Sequence, residues 1–342
     1  MAPKRKDLLS KESVVNQLQM ESDMTVAELV DGMSTMSFQA RNLGRAAKVY
    51  ERMLTDPDRP TIYLSLTGAL IAAGLRRVIR DMVRTGIVDV IVSTGAILYH
   101  DYYESRGGRH HRSSPEMDDV ILQKLHIDRV YDTLVDEDKF YGSDLAVGRF
   151  ASTLEPRGYS SREFMALLAK TVQDPDSILH AAAEADVPLF VPAINDSSLG
   201  IGITKLFLEA GDKPHMHIDS IRDNVDLIKT VMQSPATSSI YLGGGVPKNY
   251  VNDGVIMAQY AVKDEAGCDF AHRYAIQLTM TGPQDGGLSG STLSEAKSWG
   301  KIKHEATTAM AYVELSIGLP LICGYVWGKG LHKGRKRRHF EF

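Results

Sequence analysis

Residues 61–92 read TIYLSLTGALIAAGLRRVIRDMVRTGIVDVIV. The opening Thr61-Ile62-Tyr63-Leu64 is β-branched, aromatic and aliphatic, the composition of a buried strand. Residues 70–84 place apolar side chains at helical spacing with charged ones on the opposite face, so an amphipathic helix is predicted there. Val88-Asp89-Val90-Ile91-Val92 then reads as a second buried strand. Together they make one β-α-β unit, which brings its two strands together in parallel.

The same alternation continues outward. A helix is predicted over 161–184, a strand over 187–191, a helix over 224–233 and a strand over 239–242. This pattern implies an α/β fold: a mostly parallel sheet with helices on both faces, Rossmann-like in its arrangement. Residues 1–60 are rich in helix formers, with helical spacing over 40–53, and read as a helical N-terminal extension. Residues 61–330 form the α/β domain and 331–342 a basic tail. Residues 100–118, with Gly107, Gly108, several histidines and Pro115, read as one long loop.

Composition excludes several classes. With 342 residues, 43% hydrophobic and 24% charged, the chain is ordinary globular protein, long enough for a sizeable core. It holds no apolar run of the roughly 18 residues a membrane span needs, and the start Met1-Ala2-Pro3-Lys4-Arg5-Lys6 lacks the apolar stretch of a secretion signal, so a cytoplasmic protein without a membrane partner is expected. A net charge of −4 supplies no field for nucleic acid. The basic run Lys333-Gly334-Arg335-Lys336-Arg337-Arg338-His339 is read as a solvated end. Cys268 and Cys323 have no CxxC partner and are expected as reduced thiols.

Ligands of parallel sheets bind beyond the carboxyl ends of the strands, where loops meet helix starts. Four loops fit: Leu66-Thr67-Gly68-Ala69, Ser93-Thr94-Gly95-Ala96, Pro192-Ala193-Ile194-Asn195-Asp196 and Gly243-Gly244-Gly245-Val246-Pro247-Lys248. Small residues there let backbone approach a pyrophosphate, although none matches GxGxxG. A dinucleotide site is the reading they support together.

The most specific segment is Asp285-Gly286-Gly287-Leu288-Ser289-Gly290 followed by Glu295-Ala296-Lys297-Ser298-Trp299-Gly300-Lys301. An acidic-glycine loop followed by E-A-x-S-W-G-K resembles the deoxyhypusine synthases. The resemblance runs from Phe38-Gln39-Ala40-Arg41-Asn42-Leu43-Gly44-Arg45 to Pro320. It implies NAD as cofactor, a 4-aminobutyl group carried as an imine on Lys301, and a homotetramer with sites at dimer interfaces. Trp299 is expected as an aromatic wall that desolvates Lys301 and attracts a cationic amine, and Glu295 as a charged partner for that amine. By resemblance the cofactor residues are Gly68, Ala69, Leu70, Thr94, Gly95, Ala96, Asp196, Gly244, Gly245, Asp285 and Glu314. Trp327-Gly328-Lys329 repeats the tripeptide without the Glu or the acidic loop, and reads as a turn into the tail.

Some positions depart from the family pattern. Ile201 and Leu288 stand where acids hold an amine, Asn249 where a histidine assists proton transfer, and Tyr99 and His100 where two further acids occur. The turn segments resemble the bacterial deoxyhypusine synthase-like branch, some of whose members are similar to homospermidine synthases. Fewer carboxylates hold fewer ammonium groups, so transfer to a small polyamine precursor such as putrescine is expected, contacted by His100, Asp253, Gly287, Leu288, Glu295 and Trp299. The alternative acceptor is a lysine of a translation factor. Two readings from other classes stay open. One is a non-catalytic regulatory subunit. The other is a metal hydrolase built on His215, His217 and Asp219 with His110 and His111.

Overall fold

The structure, a computed structural model, describes residues 5–10, 13–262, 269–280 and 292–342. One sheet holds Thr61–Leu66 (β1), Val90–Ser93 (β2), Leu189–Phe190 (β3), Thr237–Leu242 (β4), His272–Thr279 (β5) and Ile302–Tyr312 (β6). The order across it is β6-β5-β4-β1-β2-β3, and every pairing is parallel. Alternate side chains feed two separate cores. Ile62, Leu64 and Leu66 of β1 join the first, while Tyr63 points into the second.

The first core is closed by the Phe38–Thr55 and Leu315–Gly328 helices, through Leu43, Ala46, Tyr50, Leu319 and Ile322. The second is closed by the Ser220–Met232 and Gly245–Ala261 helices, through Leu227, Val231, Val251 and Val255. The α/β sheet with helices on both faces is therefore as the sequence reads. The N-terminal helices share the sheet's own core rather than standing apart from it.

Several local expectations change. The helix expected over 161–184 is two, Ser161–Ala169 and Ile178–Ala185, because Pro175 disfavours helical backbone at Asp174 and lacks an N–H to continue the ladder. The helix expected from residue 70 begins at Arg76. His100 belongs to the Gly95–Ser105 helix, so the expected loop starts only after Ser105, and the short strand His111–Arg112 interrupts it.

The basic tail is not a solvated end. Arg335 pairs with Asp89 at 2.6 Å, with the side chains only 5% and 0% exposed. Its guanidinium also donates to the carbonyls of Gly86 and Pro60. Asp89 accepts from the Ile62 N–H at 2.9 Å, so the tail crosses the amino ends of β1 and β2. Farther on, Glu341 N–H donates to Gln233, and the Arg162 guanidinium lies 3.8 Å from the centre of the Phe342 ring. A buried carboxylate needs a cation, and the one that serves it lies 246 residues away in the chain.

Candidate active site

Between β1 and β4 the winding of the sheet reverses: β2 and β3 lie to one side, β5 and β6 to the other. Such a reversal opens a crevice at the carboxyl ends of the strands. Thr67 Oγ1 donates to the Gly244 carbonyl at 2.7 Å and ties the two loops that flank it. Gly68, Ala69 and Leu70 follow β1, with Leu70 buried, and Thr94, Gly95 and Ala96 follow β2. A Cβ on Gly95 would lie 2.2 Å from Ser197 Oγ, so glycine lets this helix start approach the turn that carries Asp196.

Three helices begin at this end: Gly95–Ser105, Ser198–Ala210 and Gly245–Ala261. Their N-cap residues Thr94, Ser197 and Gly244 make no side-chain capping bond, whereas Ser160, Ser177 and Asp219 cap their own helices. Uncapped N–H groups and three positive helix ends suit the pyrophosphate of a dinucleotide. Asp196 is exposed beside them. Glu314 caps the Leu315–Gly328 helix, accepting from Ser316 N–H at 2.9 Å. Asp285, Gly287 and Leu288 lie outside the described residues.

Lys301 immediately precedes β6. Its Nζ is 3.0 Å from Asp253 Oδ1 and 3.2 Å from Asn249 Oδ1, and Asn249 Nδ2 donates to Asp253 Oδ2 at 2.9 Å. Asn249 and Asp253 stand one turn apart on the Gly245–Ala261 helix, which puts both on the face toward Lys301. The lysine side chain is 12% exposed. It lines a cavity of about 760 Å³ with Asp253, Tyr260, Asp269, Trp299 and others. Among the described residues, this cavity touches none of the cofactor loops within one chain.

Trp299 and Glu295 are both exposed in the single chain. Trp299 lines the same cavity as Lys301 but is 69% exposed, because it is the C-cap of the short Leu293–Ser298 helix and the chain turns at Gly300 between it and Lys301. Glu295 is exposed and serves in a capping box, accepting from Thr292 N–H at 2.8 Å. The residue that sequence reasoning missed is Lys248, read only as the end of a glycine turn. It is fully buried, donates to Gln277 Oε1 at 3.2 Å, and Gln277 in turn donates to the Gly243 carbonyl at 3.0 Å. Burial pushes its ammonium down to about 8, Lys301 adding to the fall and Glu295 opposing it. Lys248 is thus tied to the glycine loop through Gln277 and feels the charge of Lys301. Its signal in the sequence was a lysine in the first turn after a buried strand.

His100 lies on the other flank. Its Nδ1 is 2.7 Å from His110 Nε2, and His110 Nδ1 is 2.6 Å from Glu104. Burial, with His110 as the next cause, pushes His100 down to about 4. The imidazole is neutral, and His110 is committed to Glu104. The histidines of the metal reading do not converge: His215 Nδ1 bonds the Lys213 carbonyl and Asp219 caps a helix. Among the described residues no group of three or more His, Cys, Asp or Glu could hold a metal ion. Nor is any described helix long and apolar enough to cross a membrane. Cys323 is buried and free.

The sequence model of deoxyhypusine synthase matches residues 28–326. The chain belongs to this family. It is 41% identical over 321 residues to a deoxyhypusine synthase-like protein of Chlorobaculum tepidum, covering 92% of this chain and 90% of that one. A deoxyhypusine synthase-like protein of Coxiella burnetii is also 41% identical, over 91% of this chain and 88% of its own. A crystal structure from Entamoeba histolytica assigned to deoxyhypusine synthase superposes with a TM-score of 0.64 at 20% identity, covering 96% of this chain and all of that one, and shares the fold. Membership places the chain among transferases of the deoxyhypusine synthase-like kind.

Proposed function

We propose that the chain is an NAD-dependent 4-aminobutyl transferase that carries the group as an imine on Lys301 and delivers it to a small amine, making a polyamine such as homospermidine. The observation that carries this reading is the Lys301–Asp253–Asn249 triangle in an open cavity. Thr94, Gly95, Asp196, Gly244 and Gly245 would hold NAD, which would supply hydride-transfer chemistry there. Asp253 is placed to take a proton from Lys301, leaving a lone pair on Nζ to attack an imine carbon. Asn249 accepts from the same Nζ and holds it in position. Attack by Lys301 expels the donor's departing amine; attack by the acceptor amine then frees Lys301.

The acceptor is read as small because Asn249 is neutral and Ile201 is apolar, so fewer charges meet a cationic substrate. Transfer to a protein lysine is the second reading. The exposed Trp299 also fits a homotetramer in which a second chain completes the site. Incubating the full chain with NAD and a panel of amines, then reading products by mass spectrometry, tests the proposal. A homospermidine-type product from putrescine supports it, and modification of a protein acceptor alone would replace it with the second reading.

A further inference from the structure

The Glu137–Ser152 and Ser198–Ala210 helices pack very closely. A Cβ on Gly202 would lie 2.4 Å from the Asp144 carbonyl, and one on Gly148 would lie 2.6 Å from the Gly202 carbonyl. This contact pins Asp144 beside the first turns of the Ser198–Ala210 helix, whose N-cap Ser197 touches Gly95 of the cofactor crevice. Asp144 is therefore fixed between the crevice and the helix that carries Tyr99 and His100.

The surroundings of its carboxylate are incomplete. Tyr99 and Ser198 face it. The Tyr99 hydroxyl donates instead to the Phe140 carbonyl at 2.6 Å, and one proton cannot serve both. Oδ1 is enclosed with no hydrogen-bond partner. No ion pair to Asp144 occurs among the described residues, and His100 next to Tyr99 is kept neutral. Burial raises the carboxyl's pKa, with only the two hydroxyls opposing. Asp144 as a whole is half-buried, but an enclosed carboxylate oxygen without a partner is uncommon, and a ligand's N–H donor is one way to satisfy it. The missing partner is a cation with several N–H donors, which a primary alkylammonium provides. A metal ion would find one carboxylate and two hydroxyls, a poor donor set. Phe140 packs against Tyr99 and His100, so apolar surface adjoins the tyrosine that faces the acid.

We propose that the Asp144 carboxylate binds one primary ammonium group of the amine substrate, an inference that rests on the amine-transfer reading above. Calorimetric titration of 1,4-diaminobutane into the full chain, with and without NAD, tests it. Asp144→Asn keeps the shape and removes the charge, and should weaken diamine binding about tenfold or more while leaving NAD affinity unchanged. Ser198→Ala, which keeps the acid, should weaken it only about threefold, and it carries the test if the Asn variant does not fold. Equal diamine affinity in Asp144→Asn and the parent chain would show a protonated structural carboxyl and overturn the proposal, as would a parent chain that binds no diamine. Product formation by the parent chain is scored separately. A chain that binds diamine through Asp144 but transfers nothing retains this site and loses the transfer reading.

Discussion

The tripeptide Trp-Gly-Lys occurs twice, at residues 299–301 and 327–329, and the two copies have become different objects. In the first, the tryptophan stands in solvent and the lysine turns inward to Asp253 and Asn249 in a cavity. In the second, the tryptophan is half-buried and stacks on His332 with ring centres 5.0 Å apart and planes 9° apart. Its lysine pairs with Asp31 at 2.9 Å, a bond that holds the ammonium proton well above the ordinary lysine value. One copy presents a lysine to a space a substrate can enter. The other spends its lysine joining the end of the Leu315–Gly328 helix to the Val26–Met33 helix. A three-residue identity therefore carries no function by itself; the partners of the lysine decide it.

Replacing each lysine by alanine is the strongest way to break this contrast. Lys301→Ala is expected to lower aminobutyl transfer by roughly a thousandfold or more and to abolish borohydride trapping of the intermediate. Lys329→Ala should keep both and cost only about 0.2–1 kcal/mol of stability, since its pair is a surface one. A trapped mass on the Lys329 peptide would reverse the assignment of the two copies.

The tail that follows the second copy sharpens the same point on stability. Arg335→Ala strands the fully buried Asp89 and is expected to cost about 3–5 kcal/mol in urea or thermal unfolding. Ligand binding by the folded fraction should be unchanged, because the pair sits at the amino ends of β1 and β2 while the crevice lies at their carboxyl ends. A loss below about 0.5 kcal/mol would mean that the tail is not part of the folded core.

The smallest expected difference is between the tryptophans. Trp327→Ala should destabilise by about 1–3 kcal/mol through lost burial and stacking. Trp299→Ala should change monomer stability by no more than about 0.5 kcal/mol, and its effect should appear in amine transfer and in subunit assembly. Differential scanning calorimetry beside size-exclusion chromatography separates these outcomes.

Much of the fold was legible because strands and helices announce themselves over a few residues. The buried run at 61–64, the amphipathic stretch before Arg84 and the buried run at 88–92 each carry their own periodicity, and their alternation implies a parallel sheet. The boundaries were less legible: the break near Asp174-Pro175 and the late start at Arg76 depend on how the chain packs as well as on its pattern. In the site, Lys301 was readable from its motif and the glycine turns from their place after strands. Lys248 was not, because a lysine is ordinarily a surface residue, and only the closure of the sheet against the Gly245–Ala261 helix buries it.

By itself, then, the sequence determined the parallel α/β architecture, the family and the candidate lysine, all of which rest on patterns or motifs a few residues long. Tertiary structure alone decided that Asp253 and Asn249 are what Lys301 meets, that Trp299 stands exposed at the rim of the same cavity, that Asp144 pairs with no cation among the described residues and that Arg335 neutralises Asp89. Each of these is a matter of charge and solvent access between groups far apart in the chain. Residue spacing carries no information about the dielectric a side chain will experience until the chain has closed around it.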